Sequence, residues 1–187
     1  MLWSRWDNTG TEYLRLWSDN AGFRADSGIV GVIEESPLRV GYRIHCDPNW
    51  HTRELTVRVT GARGNSALDL LSDGAGNWRT RSGEPLPALT GCIDVDLMAT
   101  PFTNTLPIRR LGLAVGASAE IQVVYVSFPT LELSAMRQRY TNMGVIDGTQ
   151  HYKYENVSGE PFEALLTVDA DGLVLDYPGL FRRYLLT

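Results

Sequence analysis

The sequence predicts a mainly β protein, an antiparallel meander or rolled sheet with one short helix packed on the sheet or inside its curvature. Three observations lead there. Apolar and polar residues alternate with period two in stretch after stretch, the signature of half-buried strands. Glycine and proline, 18 and 9 among 187 residues, punctuate the chain at the short intervals that successive hairpins need. Only one segment carries the start and stop signals of a helix. The length fits a single domain over residues 1–187, and folding a chain of this size buries about 70% of its surface, enough for a core without staples.

Taken in order, strands are expected at residues 13–17 and 29–33, followed by a hairpin. Over residues 39–47, Val40, Tyr42, Ile44 and Cys46 share one face while Arg39, Arg43, His45 and Asp47 share the other. Leu55, Val57 and Val59 repeat the pattern over residues 54–60, and the turn formers Asp47-Pro48-Asn49-Trp50 stand between. Strands then read at 92–97, 121–128, 131–140 and 150–155. A second hairpin places Ala164, Leu166 and Val168 before Asp171-Gly172, with Leu173, Leu175 and Tyr177 resuming the apolar face. The helix falls near residues 104–111. Asn104 or Thr105 serves as its cap, Pro107 lies near its first turn, Ile108 and Leu111 fall three apart, and Gly112 stops it. One short helix makes no layer of its own, so it must lie against the sheet.

Composition narrows the function classes. A formal net charge of -5 argues against nucleic acid or an anionic membrane surface, both of which reward a concentrated basic field. The arginines are scattered, as ion-paired strand faces require, and Lys153 is the only lysine. The N-terminal Met-Leu-Trp-Ser-Arg-Trp-Asp has charges where a secretory signal needs an apolar run. No later run approaches the ~18 apolar residues that span a bilayer, so a cytoplasmic, non-membrane-integral protein is the expectation. Cys46 and Cys92 are too few and too far apart for a metal knuckle or redox dithiol and read as buried thiols. His45, His51 and His151 lack metal-site spacing, and no metal or cofactor is expected. Asp169-Ala170-Asp171-Gly172 has a faint calcium-loop look, but placing Gly172 at the loop glycine puts Thr167 and Pro178 at ligand positions; a hairpin turn explains it better. Signature loops of hydrolases, zincins, P-loop proteins and dinucleotide binders are missing.

Two sets of residues invite chemistry. Asp94 and Asp96, an i, i+2 pair on a strand, point to one face while Ile93, Val95 and Leu97 take the other. Their carboxyls could approach the ~5 Å separation of a retaining glycosidase. The competing reading is ion pairing, with Arg137 and Arg139 as a matching cross-strand pair and Arg109 and Arg110 as rivals. Trp50, Trp78, Tyr140, Tyr152, Tyr154 and Tyr177 suit core filling and sugar stacking alike, and Tyr152 and Tyr154 share one strand face.

Residues 42–53, Tyr-Arg-Ile-His-Cys-Asp-Pro-Asn-Trp-His-Thr-Arg, together with residues 94–111, Asp-Val-Asp-Leu-Met-Ala-Thr-Pro-Phe-Thr-Asn-Thr-Leu-Pro-Ile-Arg-Arg-Leu, resemble a family of bacterial proteins named putative glycolipid-binding. Residues 168–179 look like the same family's closing hairpin. The resemblance covers essentially the whole chain. It implies a spiral β-roll, a long antiparallel sheet rolled around a single α-helix as in lipoprotein localisation factors, and a homodimer. It also implies a glycolipid or other amphiphile as ligand, held without catalysis, and brings no catalytic residues. On that reading an apolar groove between curved sheet and helix takes an acyl chain, with Trp50, Arg53, Asp94, Asp96, Asn104, Arg109 and Tyr140 at its mouth to bind the head group. Two alternatives remain: an enzyme of glycolipid or carbohydrate metabolism using Asp94 and Asp96, and a dimeric interaction module without ligand.

Overall fold

The alternating stretches assemble into one long, curved, unclosed sheet. The structure, a computed structural model, describes residues 1–62 and 64–184. Its strands are β1 (Leu2–Arg5), β2 (Gly10–Asp19), β3 (Gly22–Ile33), β4 (Ser36–Cys46), β5 (Thr52–Gly61), β6 (Gly64–Ser72) and β7 (Trp78–Thr80). They continue with β8 (Asp94–Leu97), β9 (Ser118–Val126), β10 (Leu133–Ile146), β11 (Thr149–Asn156), β12 (Phe162–Val168), β13 (Val174–Tyr177) and β14 (Phe181–Arg183). The spatial order is β7-β6-β5-β4-β3-β2-β1-β14-β13-β12-β11-β10-β9-β8. Two meanders therefore run outward from a seam where the first and last strands pair, Trp3 opposite Arg183 and Arg5 opposite Phe181. The mainly β, rolled-sheet expectation is met.

Each strand buries the face its alternation selects. In β4, Val40, Tyr42, Ile44 and Cys46 are buried while Arg39 and Arg43 stay exposed, and β5 buries Leu55, Val57 and Val59 opposite them. The sheet curls because β7 and β8, at its opposite edges, are consecutive in the chain and joined by residues 81–93. Gly91 N–H donates to Gly76 O (3.0 Å) and the Trp78 indole to Cys92 O (2.7 Å), holding the edges near each other without pairing them. Both cysteine thiols are buried and free, and burial raises them to about 12 for Cys46 and about 11 for Cys92. Thiols so far from ionisation are poor nucleophiles.

One pair of strands, β8 and β9, is parallel, and a parallel pair needs a crossover. A 3-10 turn (Phe102–Asn104) followed by helix α1 (Thr105–Leu111) supplies it. Residues 101–108 are buried throughout, so the crossover runs inside the roll. Phe102 and Leu106 pack into a core shared with Trp3, Val40, Leu55 and Val124. Ile108 packs into a second core with Tyr140, Tyr154, Leu166 and Tyr177.

Three details depart from expectation. The Asn104 side chain does not cap the helix; its Nδ2 donates to Pro101 O (3.1 Å) and its Oδ1 faces Tyr140. A bulge between Thr167 and Val168 displaces the last hairpin, so Val174 pairs with Val168 and is buried while Leu175 is half-buried. Arg137 and Arg139 pair with Glu120 across β9 and β10 (3.0 and 3.3 Å), because Glu120 lies on their outward face and the two aspartates do not. Gly112 stops the helix as expected, in the left-handed region with its amide donating to Ile108 O (3.3 Å). The 169–172 turn is a hairpin turn: Asp169 Oδ1 accepts from the amides of Asp171 (3.0 Å) and Leu173 (2.9 Å).

Candidate functional site

The buried crossover carries polar side chains into the roll, and each must find a partner there. Asp94 is fully buried and receives a forked contact from Arg110: Nε to Oδ1 and Oδ2 (3.1 Å each) and Nη2 to Oδ2 (2.6 Å). Burial pushes its carboxyl up, and the guanidinium opposes that. Asp96, two residues on, has no cation among the described residues. Its Oδ2 accepts from Gln138 Nε2 (2.6 Å) and its Oδ1 from Thr103 Oγ1 (3.1 Å). Burial raises this carboxyl too, against those two hydrogen bonds. Tyr140 stands behind, its hydroxyl donating to Asn104 Oδ1 (2.8 Å).

A third carboxylate fastens the start of the crossover. Glu12 lies in register with Leu14 on the inner face of β2 and accepts from Ser27 Oγ (2.7 Å), Tyr42 OH (2.6 Å) and Thr100 Oγ1 (2.6 Å). Burial raises it despite the three hydroxyls, and burial followed by the Glu12 charge holds Tyr42 well above the ordinary phenol range.

Between this segment and the inner face of β9–β14 lies a cleft of about 220 Å³. Tyr125, Tyr154, Phe162, Tyr177 and Phe181 form its walls, Asp96, Thr100 and Asn104 supply polar groups, and Met98, Met136 and Leu180 are partly exposed along it. The rings meet at 6.1 Å (Tyr154 and Phe162), 6.2 Å (Tyr154 and Tyr177) and 6.3 Å (Tyr177 and Phe181) between centroids. The cleft is far larger than the void of about 10 Å³ that Trp3, Ile29 and Ala99 line nearby. It is smaller than the ~300–1,000 Å³ of sites that engulf a drug-sized ligand. One ring or a compact head group fits it; a long acyl chain does not fit inside.

Of the seven residues the sequence singled out, Asp96 and Asn104 line this cleft and Tyr140 supports Asn104. Asp94 is sealed off by Arg110, so the two aspartates do not face a common cleft. Trp50 and Arg109 lie at the helix's other end. Trp50 stacks on Phe23 (centroids 4.0 Å apart) with the Arg109 guanidinium 5.5 Å from its ring centre, which pins the β4–β5 turn to the helix. Arg53 donates to Ser72 O (3.2 Å) and pairs with Asp47 (3.6 Å). Sequence reasoning missed Tyr125, Phe162 and Phe181, which come from separate strands, and it missed Glu12. The signal for Glu12 was there: a charged residue on the inward beat of an alternating strand.

A larger depression, about 590 Å³, lies on the sheet's outer face. Its arginines are matched to acids, Arg43 to Asp26 (3.0 Å), Arg58 to Asp69 (2.8 Å) and Arg81 to Glu54, which makes it a solvated strand face of the kind the scattered charge suggests. Among the described residues no group of three or more His, Cys, Asp or Glu could hold a metal ion, and no helix is long and apolar enough to cross a membrane.

Comparison with known proteins places the chain. The sequence profile of a family described as "Putative glycolipid-binding" matches residues 1–183. The crystal structure of a DUF1089 family protein from Pseudomonas aeruginosa is 44% identical and superposes with a TM-score of 0.84, over 92% of this chain and 92% of that one. No curated protein matches the chain.

Proposed function

The chain belongs to the putative glycolipid-binding family, and from that premise we propose that it binds the polar head of a glycolipid or similar amphiphile in the aromatic cleft over Asp96, without catalysis. The observation that carries this reading is the cleft's make-up. Ring faces offer stacking area to a sugar, and Asp96 and Asn104 offer acceptor oxygens fixed by Gln138, Thr103 and Tyr140. The alkyl part of the ligand lies outside, against the partly exposed Met98, Met136, Leu180 and Phe162. This moves the head group inward and the chain outward relative to the groove expected from sequence.

The enzymatic alternative loses support here, because a glycosidase pair needs both carboxyls on the substrate and Asp94 is engaged by Arg110. Native mass spectrometry of freshly purified protein tests the proposal: a non-covalent amphiphile released on denaturation, and depleted in Tyr154→Ala, is expected. Ligand-free protein across several growth conditions contradicts it.

The proposal includes a cytoplasmic homodimer, with cell fractionation as the test of location. One observation supports self-association. The outer edge of β6 is covered by β7 only from Leu70 to Ser72, so residues 64–68, paired with β5 on one side, have no strand on the other among the described residues. Identical edges pair antiparallel about a two-fold axis. Light scattering should show twice the chain mass, falling to one chain mass in Ala67→Pro.

A further inference from the structure

Resting on the head-group reading of this cleft, we infer that the ligand's head carries a positive charge, an ammonium or quaternary ammonium group held by Asp96 inside the aromatic walls. The charge inventory supports this. Among the described residues, Asp96 is the one charged residue lining the cleft, and no arginine, lysine or histidine lines it. Gln138 and Thr103 each give it a neutral hydrogen bond, so among the described residues no cation compensates the charge it carries when ionised.

The neighbouring elements do not supply the missing charge. On β8, the charge of Asp94 is spent on Arg110. Behind Thr100 stands Glu12, a second acid. On the β14 side, Arg5 lies 5.8 Å from the Phe181 ring centre, but it pairs with Asp7 (3.2 Å). The groups facing Asp96 from β9, β10, β11 and β13 are the neutral phenols of Tyr125, Tyr140, Tyr154 and Tyr177, all held above their ordinary range by burial first and by the Asp96 charge second or further down.

A half-buried carboxylate without a cation loses part of its hydration, and a cation brought by the ligand recovers that cost where a sugar hydroxyl recovers only part of it. The walls add to the preference. An aromatic face attracts a cation within ~6 Å of the ring centre, and several faces around one cavity are how quaternary ammonium groups are recognised. A volume of about 220 Å³ suits one such group or one amino-sugar ring. Because the cation favours ionised Asp96, affinity should rise with pH as the free carboxyl loses its proton.

The test uses choline and its uncharged isostere 3,3-dimethylbutan-1-ol, with octyl glucoside as a third probe, titrated into the intact protein. Choline is expected to bind about tenfold more tightly than the isostere. The ratio should fall toward one as the pH is lowered and in Asp96→Asn, which keeps the side-chain shape. The pH series on unaltered protein decides the matter should the variant not fold. Equal binding of choline and isostere at every pH overturns the charge assignment while octyl glucoside binding leaves the head-group reading standing. Binding of none of the three overturns both.

Discussion

Glu12 and Asp94, both buried, and the half-buried Asp96 are three carboxylates given three different settlements: hydroxyls only, a forked guanidinium, and two neutral donors beside a cleft. Glu12 has a measurable consequence. Burial raises its folded-state value above the ordinary 4.5, so between those values the folded chain holds a proton that the unfolded chain has lost. Stability therefore falls as pH rises through that window, the reverse of the effect of Asp69, which Arg58 and Thr56 hold below its ordinary value. Urea midpoints of Glu12→Gln should vary less with pH above 4.5 than those of the unaltered protein; parallel curves would show that Glu12 stays ionised. The alternation of residues 94–97 put Asp94 and Asp96 on one strand face. It was silent on their difference, because the partners arrive from residues 16 and 42 positions away.

At the scale of elements, helix α1 is held between two turns. From the β4–β5 side the Trp50 ring meets the Arg109 guanidinium (5.5 Å to its centre), and Gly172, at φ +75°, brings the β12–β13 turn against the helix's last residues. A Cβ at Gly172 would meet Ile108 Cγ2 and Arg109 Cδ at 3.2 Å each, whereas Gly148, at φ +80°, has open space around it. Both Gly→Ala substitutions incur the left-handed backbone cost of about 1 kcal/mol. Gly172→Ala should lose more than Gly148→Ala by thermal denaturation, about 2–4 °C for each additional kcal/mol in a chain of this size. Equal losses would mean the turn does not brace the helix. Gly112 and Pro107 made the helix readable, since local chemistry fixes where a helix starts and stops. Asn104 was misread as a cap because its Oδ1 is claimed by Tyr140, 36 residues away, a contact that no local pattern encodes. The bulge at Thr167 escaped notice for a similar reason: Leu173, Leu175 and Tyr177 alternate well enough to conceal one displaced residue.

For the whole molecule, the roll follows from a long-range constraint, the closeness of β7 and β8 in sequence at opposite edges of one sheet. Alternation identified most strands and their buried faces. Their spatial order, with β1 and β14 at the centre, rests on pairing between chain ends that periodicity does not record; local pattern left a meander and a rolled sheet open, and the family resemblance selected the roll. The cleft was hidden for the same reason. Its five rings lie on β9, β11, β12, β13 and β14, and their convergence is a product of curvature. Tyr154 and Tyr177 stood out as bulky residues with a polar tip, while nothing local set Phe162 or Phe181 apart from ordinary core.

The chain contains four methionines, and two of them, Met98 and Met136, line the cleft while Met1 and Met143 lie elsewhere. Methyl-labelled methionine spectra recorded during a titration with octyl glucoside therefore report directly on where a head group docks. Saturable shifts of the Met98 and Met136 methyls, with Met1 and Met143 unmoved, are the predicted result. Shifts confined to Met1 or Met143, or no saturable shift at all, would contradict the assignment of this cleft as the binding site.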